Sequence, residues 1–195
     1  MSDSASCQVG VTGHRQLPGA DPALLRLRLE DALTWATRGE SSPCLATSLA
    51  EGGDRLVAEI ALELGYTLYC ALPFPAADYE HDFAEAESVD TFRRLLARAV
   101  HVTTAQLPIG ATREAGYTAA GRAMLAASRM LLALWDGQPP RGEGGTGQIV
   151  AEALERGVPV LWVATEAPHE LRVRMPGETE WQRWDTLQAA ETTRL

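Results

Sequence analysis

Short, continuously apolar segments alternate along this chain with longer segments of helical periodicity, and that alternation constrains the fold more than any other feature. Cys7–Thr12 (CQVGVT), Cys44–Leu49 (CLATSL), Thr67–Leu72 (TLYCAL), Met130–Trp135 (MLLALW) and Val158–Val163 (VPVLWV) each read as a buried strand. Val100–Thr103 reads as a further short one. Between them, Asp21–Thr37 places Leu25, Leu29, Ala32, Leu33 and Ala36 on one helical face. Leu56, Val57, Ile60, Ala61 and Leu64 repeat that spacing ahead of Gly65, a natural helix stop. Phe92, Leu95, Leu96 and Ala99 mark another helical face, and helices are predicted from about Tyr117 to Ser128 and from Thr146 to Arg156. Strands without polar alternation are buried on both faces, so the helices between them must cover both sides of a parallel sheet. With right-handed crossovers, the prediction is an α/β fold: a doubly wound, mainly parallel, Rossmann-like sheet of five to six strands with helices on both faces.

A length of 195 residues suits one domain with a substantial core. The predicted division is a single Rossmann-like unit over 1–165 and a C-terminal extension over 166–195. In that extension Leu171–Met175 reads as an edge strand and Glu180–Leu195 as an amphipathic or frayed helix. Its Trp181 and Trp184 are expected to cover the domain or a subunit contact. No run approaches the ~18 apolar residues of a membrane span, and the polar start Met1–Ser6 lacks the pattern of a secretory signal. The three cysteines Cys7, Cys44 and Cys70 sit at predicted buried strands. They read as small hydrophobes in a reducing cytoplasm rather than as disulfides or metal ligands. His81, His101 and His169 show no metal spacing, and no metal site is expected.

The charge pattern narrows the partners. Formal net charge is −9, and all 17 basic residues are arginine. With no basic block, a nucleic-acid surface is not expected, because phosphate attraction dominates such binding. A small anion remains compatible, held by arginine forks, backbone N–H groups or a helix N-terminus.

In open α/β sheets ligands bind beyond the carboxyl ends of the strands, where the strand order reverses. The residues expected there are Gly13, His14 and Arg15 after the first strand, and Ser48, Gly52, Gly53, Asp54 and Arg55 after the second. After MLLALW come Asp136, Arg141, Gly144, Gly145 and Thr146. Paired glycines ahead of Thr146 let the backbone approach a phosphate at a helix N-terminus, whose orphan N–H groups carry about half a positive charge. An ordinary αβ turn with Thr146 as N-cap reads equally well. Asp54 is expected to cap the helix at Leu56, bond a ribose or order Arg55. Phe74 and Tyr79 lie in an acidic loop, Pro73–Phe83, that reads either as a lid stacking on a base or as a solvated turn tied down by its aromatics. Arg122 is a further phosphate candidate. No nucleophile elbow or reactive-cysteine arrangement is visible, so catalytic residues are not assigned.

The ordered segments VTGHR, SLAEGGDRLVAEIALELG, LPFPAADYEHDF and SRMLLALWDGQPPRGEGGTGQIVAEALERGVPVLWV resemble the SLOG group of Rossmann-like domains. That superfamily holds the Lonely Guy phosphoribohydrolases, the DprA/Smf proteins and the N-terminal region of TRPM channels. The resemblance spans Cys7 to Ala164 and implies a nucleotide-derived ligand over the strand ends, homodimers or higher homo-oligomers, and in bacteria a sensing role in antiviral signalling. Lonely Guy enzymes carry Pro-Gly-Gly-x-Gly-Thr-x-x-Glu. With Gly145-Thr146 as its Gly-Thr, the glutamate position falls on Ile149, Gln148 beside it is no acid, and Arg122 is displaced from the family arginine by about two positions.

The resulting expectation is a cytoplasmic module that binds a small nucleotide or nucleoside-diphosphate sugar and requires no cofactor or membrane. The alternatives are a phosphoribohydrolase-like enzyme using another acid, such as Glu51 or Glu143, and an interaction subunit with a vestigial pocket.

Overall fold

A computed structural model describes residues 7–140 and 142–185. The first half runs β1 (Cys7–Gly13), α1 (Pro22–Ala36), β2 (Cys44–Thr47), α2 (Gly53–Glu63), β3 (Thr67–Leu72), α3 (Ala76–Tyr79), α4 (Ala86–Leu96) and β4 (Ala99–Thr104). The second runs α5 (Arg113–Ala126), β5 (Ser128–Trp135), α6 (Thr146–Glu155), β6 (Val160–Ala164), β7 (Leu171–Arg174) and β8 (Gln182–Arg183).

The strands form one eight-stranded sheet in the order β4-β3-β2-β1-β5-β6-β7-β8. From β4 to β6 all neighbours are parallel, whereas β7 and β8 are antiparallel additions. The chain winds outward from β1 to β4, then crosses to β5 on the other side of β1. The switch in winding therefore falls between the carboxyl ends of β1 and β5.

Alternate residues of each inner strand feed two separate cores. Val9, Val11, Leu132 and Leu134 pack with Leu25, Leu29 and Leu33 of α1, Val57 and Ile60 of α2, and Phe92 and Leu95 of α4. Leu131 and Ala133 face Met124 and Leu125 of α5 and Ile149, Val150 and Ala153 of α6. Burial on both faces is why these strands are continuously apolar.

Four expectations are corrected. The sheet has eight strands rather than five to six. The last two lack long apolar runs: β7 alternates buried Leu171 and Val173 with half-buried Arg172 and Arg174, and β8 is two residues long. Where a helix is predicted from Glu180, Gln182 and Arg183 pair with Val173 and Arg172; positions 186–195 lie outside the described residues. The fifth helix starts at Arg113, four residues before the predicted start, because the Thr112 hydroxyl caps it by accepting the Ala115 N–H at 3.2 Å. Cys7 and Cys44 form a disulfide across the paired strands β1 and β2, and only Cys70 is free. Burial pushes the Cys70 thiol up to about 12.

The tryptophans of the extension are used inside the protomer. Trp184 is buried edge-on against Trp35 of α1, and Trp181 lies against Trp162 of β6. His169 fastens the same region. Its Nδ1 lies 2.9 Å from the Ala164 carbonyl and its Nε2 accepts the Asp21 N–H at 3.0 Å, which assigns the ring proton to Nδ1. Asp21 also caps α1 through the N–H groups of Ala23 and Leu24. No described helix is long and apolar enough to cross a membrane.

Candidate functional site

A cavity of about 310 Å³ opens at the carboxyl ends of the strands, at the switch point. It is lined by Val11–Arg15 from the end of β1, Ser48, Ala50 and Asp54 around β2, and Pro73 and Tyr79 after β3. Tyr117, Ala120, Gly121 and Met124 of α5, and Glu143–Thr146 with Ile149, complete the lining. Of the predicted site residues it brings together Gly13, His14, Arg15, Ser48, Asp54, Tyr79, Gly144, Gly145 and Thr146.

The β2 side is closed by its own hydrogen bonds. Gly13 and Gly53 meet backbone to backbone: a Cβ on Gly53 would lie 2.8 Å from the Gly13 Cα. Gly52 has φ +79°, and a Cβ there would strike the Arg15 carbonyl. These glycines let the loops after β1 and β2 touch; Gly52 and Gly53 do not line the cavity. The Gly53 N–H donates to the His14 carbonyl at 2.9 Å. Asp54 does not cap α2. Its Oδ1 accepts the Gly13 N–H at 2.9 Å, and the carboxyl also takes the N–H groups of Ala50 and Ser48. Burial pushes the Asp54 acid up to about 7 against those bonds and the nearby Arg15, which favour the charged form.

Arg55 points away from the cavity. It donates to the Leu49 carbonyl at 2.9 Å and to the Ser88 carbonyl and hydroxyl at 2.8 and 2.7 Å, with its guanidinium 4.1 Å over the Phe83 ring. It is a strut between the β2 loop and α4, and burial lowers its pKa. Glu51 takes the Ser88 hydroxyl and lies outside the cavity.

The segment after β3 is bolted down. Phe74 is buried edge-on against Tyr79 and Tyr117, and the Arg113 guanidinium covers it at 4.1 Å. Arg113 reaches Asp78 at 3.2 Å and Asp82 at 2.6 Å, Tyr117 donates to Asp82 at 2.7 Å, and Glu80 holds Arg93 at 2.9 and 2.7 Å. Phe74 is core, and only Tyr79 reaches the cavity wall, buried against Phe83 and Phe92. Burial also pushes the Tyr79 hydroxyl well above its usual value.

The β5–α6 side is different. Gly145 is the N-cap of α6, so no side chain satisfies the first N–H groups. Thr146 is 6% exposed, and its hydroxyl has no hydrogen-bond partner among the described residues. Gly144 has φ +76° and would clash at Cβ with Tyr117, which brings this turn onto α5. Gln148 accepts the Gly144 N–H at 2.7 Å and donates to Glu152, which also holds Arg122 at 2.8–3.1 Å. Arg122 therefore lies outside the cavity. Ile149 fills the wall position of the missing glutamate, in contact with Gly121.

Across the mouth, Asp136 donates its backbone N–H to His14 Nε2 at 3.2 Å, its carboxylate lies 3.1 Å from the same nitrogen, and it accepts the Gln138 N–H. Arg15 is exposed, with its guanidinium 5.6 Å from the Tyr117 ring centre. It is the permanent cation among the described lining residues, and exposed Glu143 is the opposing charge. Arg141 lies outside the described residues. Sequence reasoning missed Tyr117, Ala120, Gly121 and Met124 as lining, although their spacing marks a single helical face. No group of three His, Cys, Asp or Glu side chains among the described residues is placed to hold a metal.

No family model matches the chain, and no curated protein matches it. Among solved structures it is similar to DNA processing protein A (DprA) from Streptococcus pneumoniae, with a TM-score of 0.56 and 15% identity. The match covers 82% of this chain and 50% of that one, so the chain spans about half the length of its structural relative. The chain shares the Rossmann-like fold of that structure, with eight strands in its own sheet.

Proposed function

We propose that the chain is a binding module for a small nucleotide-type anion seated at the carboxyl ends of β1, β2 and β5. The observation that carries this reading is the start of α6, where an uncapped helix end and Thr146, a residue 6% exposed, line a cavity at the switch point. Helix N–H groups and a hydroxyl suit a phosphate, and Arg15 supplies the cation at the mouth. Apolar Val11, Ala120, Met124 and Ile149 offer a face to a base. Ligand candidates are a nucleotide or a nucleoside-diphosphate sugar.

Binding is favoured over turnover because Ile149 stands where the hydrolase glutamate falls and Glu51 lies outside the cavity; Glu143, the other candidate acid, lines it and is the residue an enzyme reading would use. The relative's name refers to DNA processing. Against DNA as a ligand here stands a net charge of −9. Self-association is an accompanying proposal, to be read by light scattering; the tail tryptophans, already packed within the protomer, do not supply its surface.

A thermal-shift panel of AMP, ADP, ADP-ribose, NAD and cyclic nucleotides, with product analysis in the same tubes, tests the reading. A bound ligand stabilises the folded chain through linkage, by about 2.7 kcal/mol at 100 times Kd, and so raises Tm. Thr146→Glu puts an anion into the phosphate seat and should abolish the shift. Silence across the panel refutes binding, and free base released at steady turnover replaces it with the enzyme reading.

A further inference from the structure

The cavity does not end at the start of α6. A second cavity of about 200 Å³ adjoins it, sharing His14, Glu143, Gly145 and Thr146 and adding Trp135, Asp136, Gln138 and Pro139. The uncapped helix end and Thr146, a residue 6% exposed whose hydroxyl has no partner among the described residues, thus stand in a wall common to two chambers. A phosphate held there lies in the middle of the available space. A ligand that ends in its phosphate fills one chamber, whereas one that carries its phosphates internally fills both.

The two chambers differ in chemistry. The larger has the apolar wall of Val11, Ala120, Met124 and Ile149. The smaller offers the indole of Trp135 beside the Asp136 carboxylate, which accepts the Gln138 N–H. A flat apolar face beside a fixed acceptor is the surface a hydroxylated ring requires. Among the described lining residues Arg15 is the one permanent cation, and Glu143 opposes it in the shared wall. An internal diphosphate carries about two charges in all, as many as a terminal monophosphate and about one fewer than a terminal diphosphate.

We propose that the ligand is a nucleoside diphosphate joined to a second hydroxylated ring, with its nucleoside in the larger chamber, its diphosphate on the Thr146 end of α6, and the second ring between Trp135 and Asp136. The inference rests on the nucleotide reading above and selects between its two ligand classes.

Titration calorimetry of the full chain with AMP, ADP, ADP-ribose and UDP-glucose tests it. At least one of the two sugar conjugates should bind tenfold or more tightly than AMP. Gln138→Trp, and separately Gly142→Trp, put bulk into the smaller chamber at exposed positions outside the larger one. Either should bring the favoured conjugate down to the affinity of AMP and leave AMP within twofold. If AMP and both conjugates bind equally, or if the blocking variants weaken AMP and the conjugate alike, the two-chamber assignment is overturned while the nucleotide reading survives. If none of the four binds, the nucleotide reading itself falls.

Discussion

The loops on either side of β1 share a composition and use it in opposite ways. On the β2 side, Gly52, Gly53, Asp54 and Arg55 are consumed by the fold. The glycines admit a backbone contact, the carboxyl collects three N–H groups, and the guanidinium braces α4. On the β5 side, the Gly144 N–H goes to Gln148, but Thr146 and the uncapped first turn of α6 leave donors uncommitted. Glycine next to a polar residue at a strand end therefore does not by itself mark a ligand seat. What separates the two cases is whether the polar groups already have partners.

The largest effect that would break this contrast concerns Asp54. Its acid sits at about 7 in the folded protein against 3.8 ordinarily. Between about pH 4 and pH 7 the folded chain holds a proton that the unfolded chain has released. Stability should therefore fall as pH rises through that window, by up to ~4 kcal/mol, and level off above it. Urea unfolding at pH 5 and pH 8 measures the difference, and Asp54→Asn should remove most of it. A flat profile in the parent protein would show that Asp54 does not bear the cost of burial.

Next in size is Gly52→Ala, which combines a positive φ with a collision at the Arg15 carbonyl. It should cost about 3 kcal/mol, a Tm loss of roughly 6–12 °C at this chain length. Gly145→Ala, whose Cβ would meet only the Gly142 carbonyl at an ordinary 3.8 Å, should lose well under half of that in the same melt. Equal losses would erase the distinction between the two loops. The smallest effect sharpens the β5 side: Glu143→Gln removes an exposed like charge from the phosphate seat. Calorimetry should find anion binding two- to threefold tighter, about 0.5 kcal/mol, with the gain shrinking at high salt.

Much of the architecture is legible in the sequence because burial on both faces leaves an unambiguous signature, as in Leu131–Leu134 between two cores. The antiparallel strands are hard to read because β7 is half polar and β8 too short to carry a period. Three widely spaced cysteines read as small hydrophobes, and only the pairing of β1 with β2 brings Cys7 and Cys44 together as a disulfide. In the site, the segments themselves are predictable, but the fate of each side chain is not. Asp54 bonds Gly13 41 positions away, and Arg113 reaches Asp82 across 31, so neither partner can be inferred from local spacing. Phe74 and Tyr79 share one loop, yet only the packing of Arg113 and Tyr117 decides that Phe74 turns inward.

The imidazole of His169 has a consequence beyond its two hydrogen bonds. It joins the turn leading into β7 to the first residue of the α1 cap, and Trp184 closes over Trp35 on the same helix. The appended strands and the first helix should accordingly open as one cooperative unit, exchanging their amide hydrogens together and apart from the β1–β5 centre. Cutting the chain at 165 would then not trim an accessory. It would unzip the helix that begins the domain.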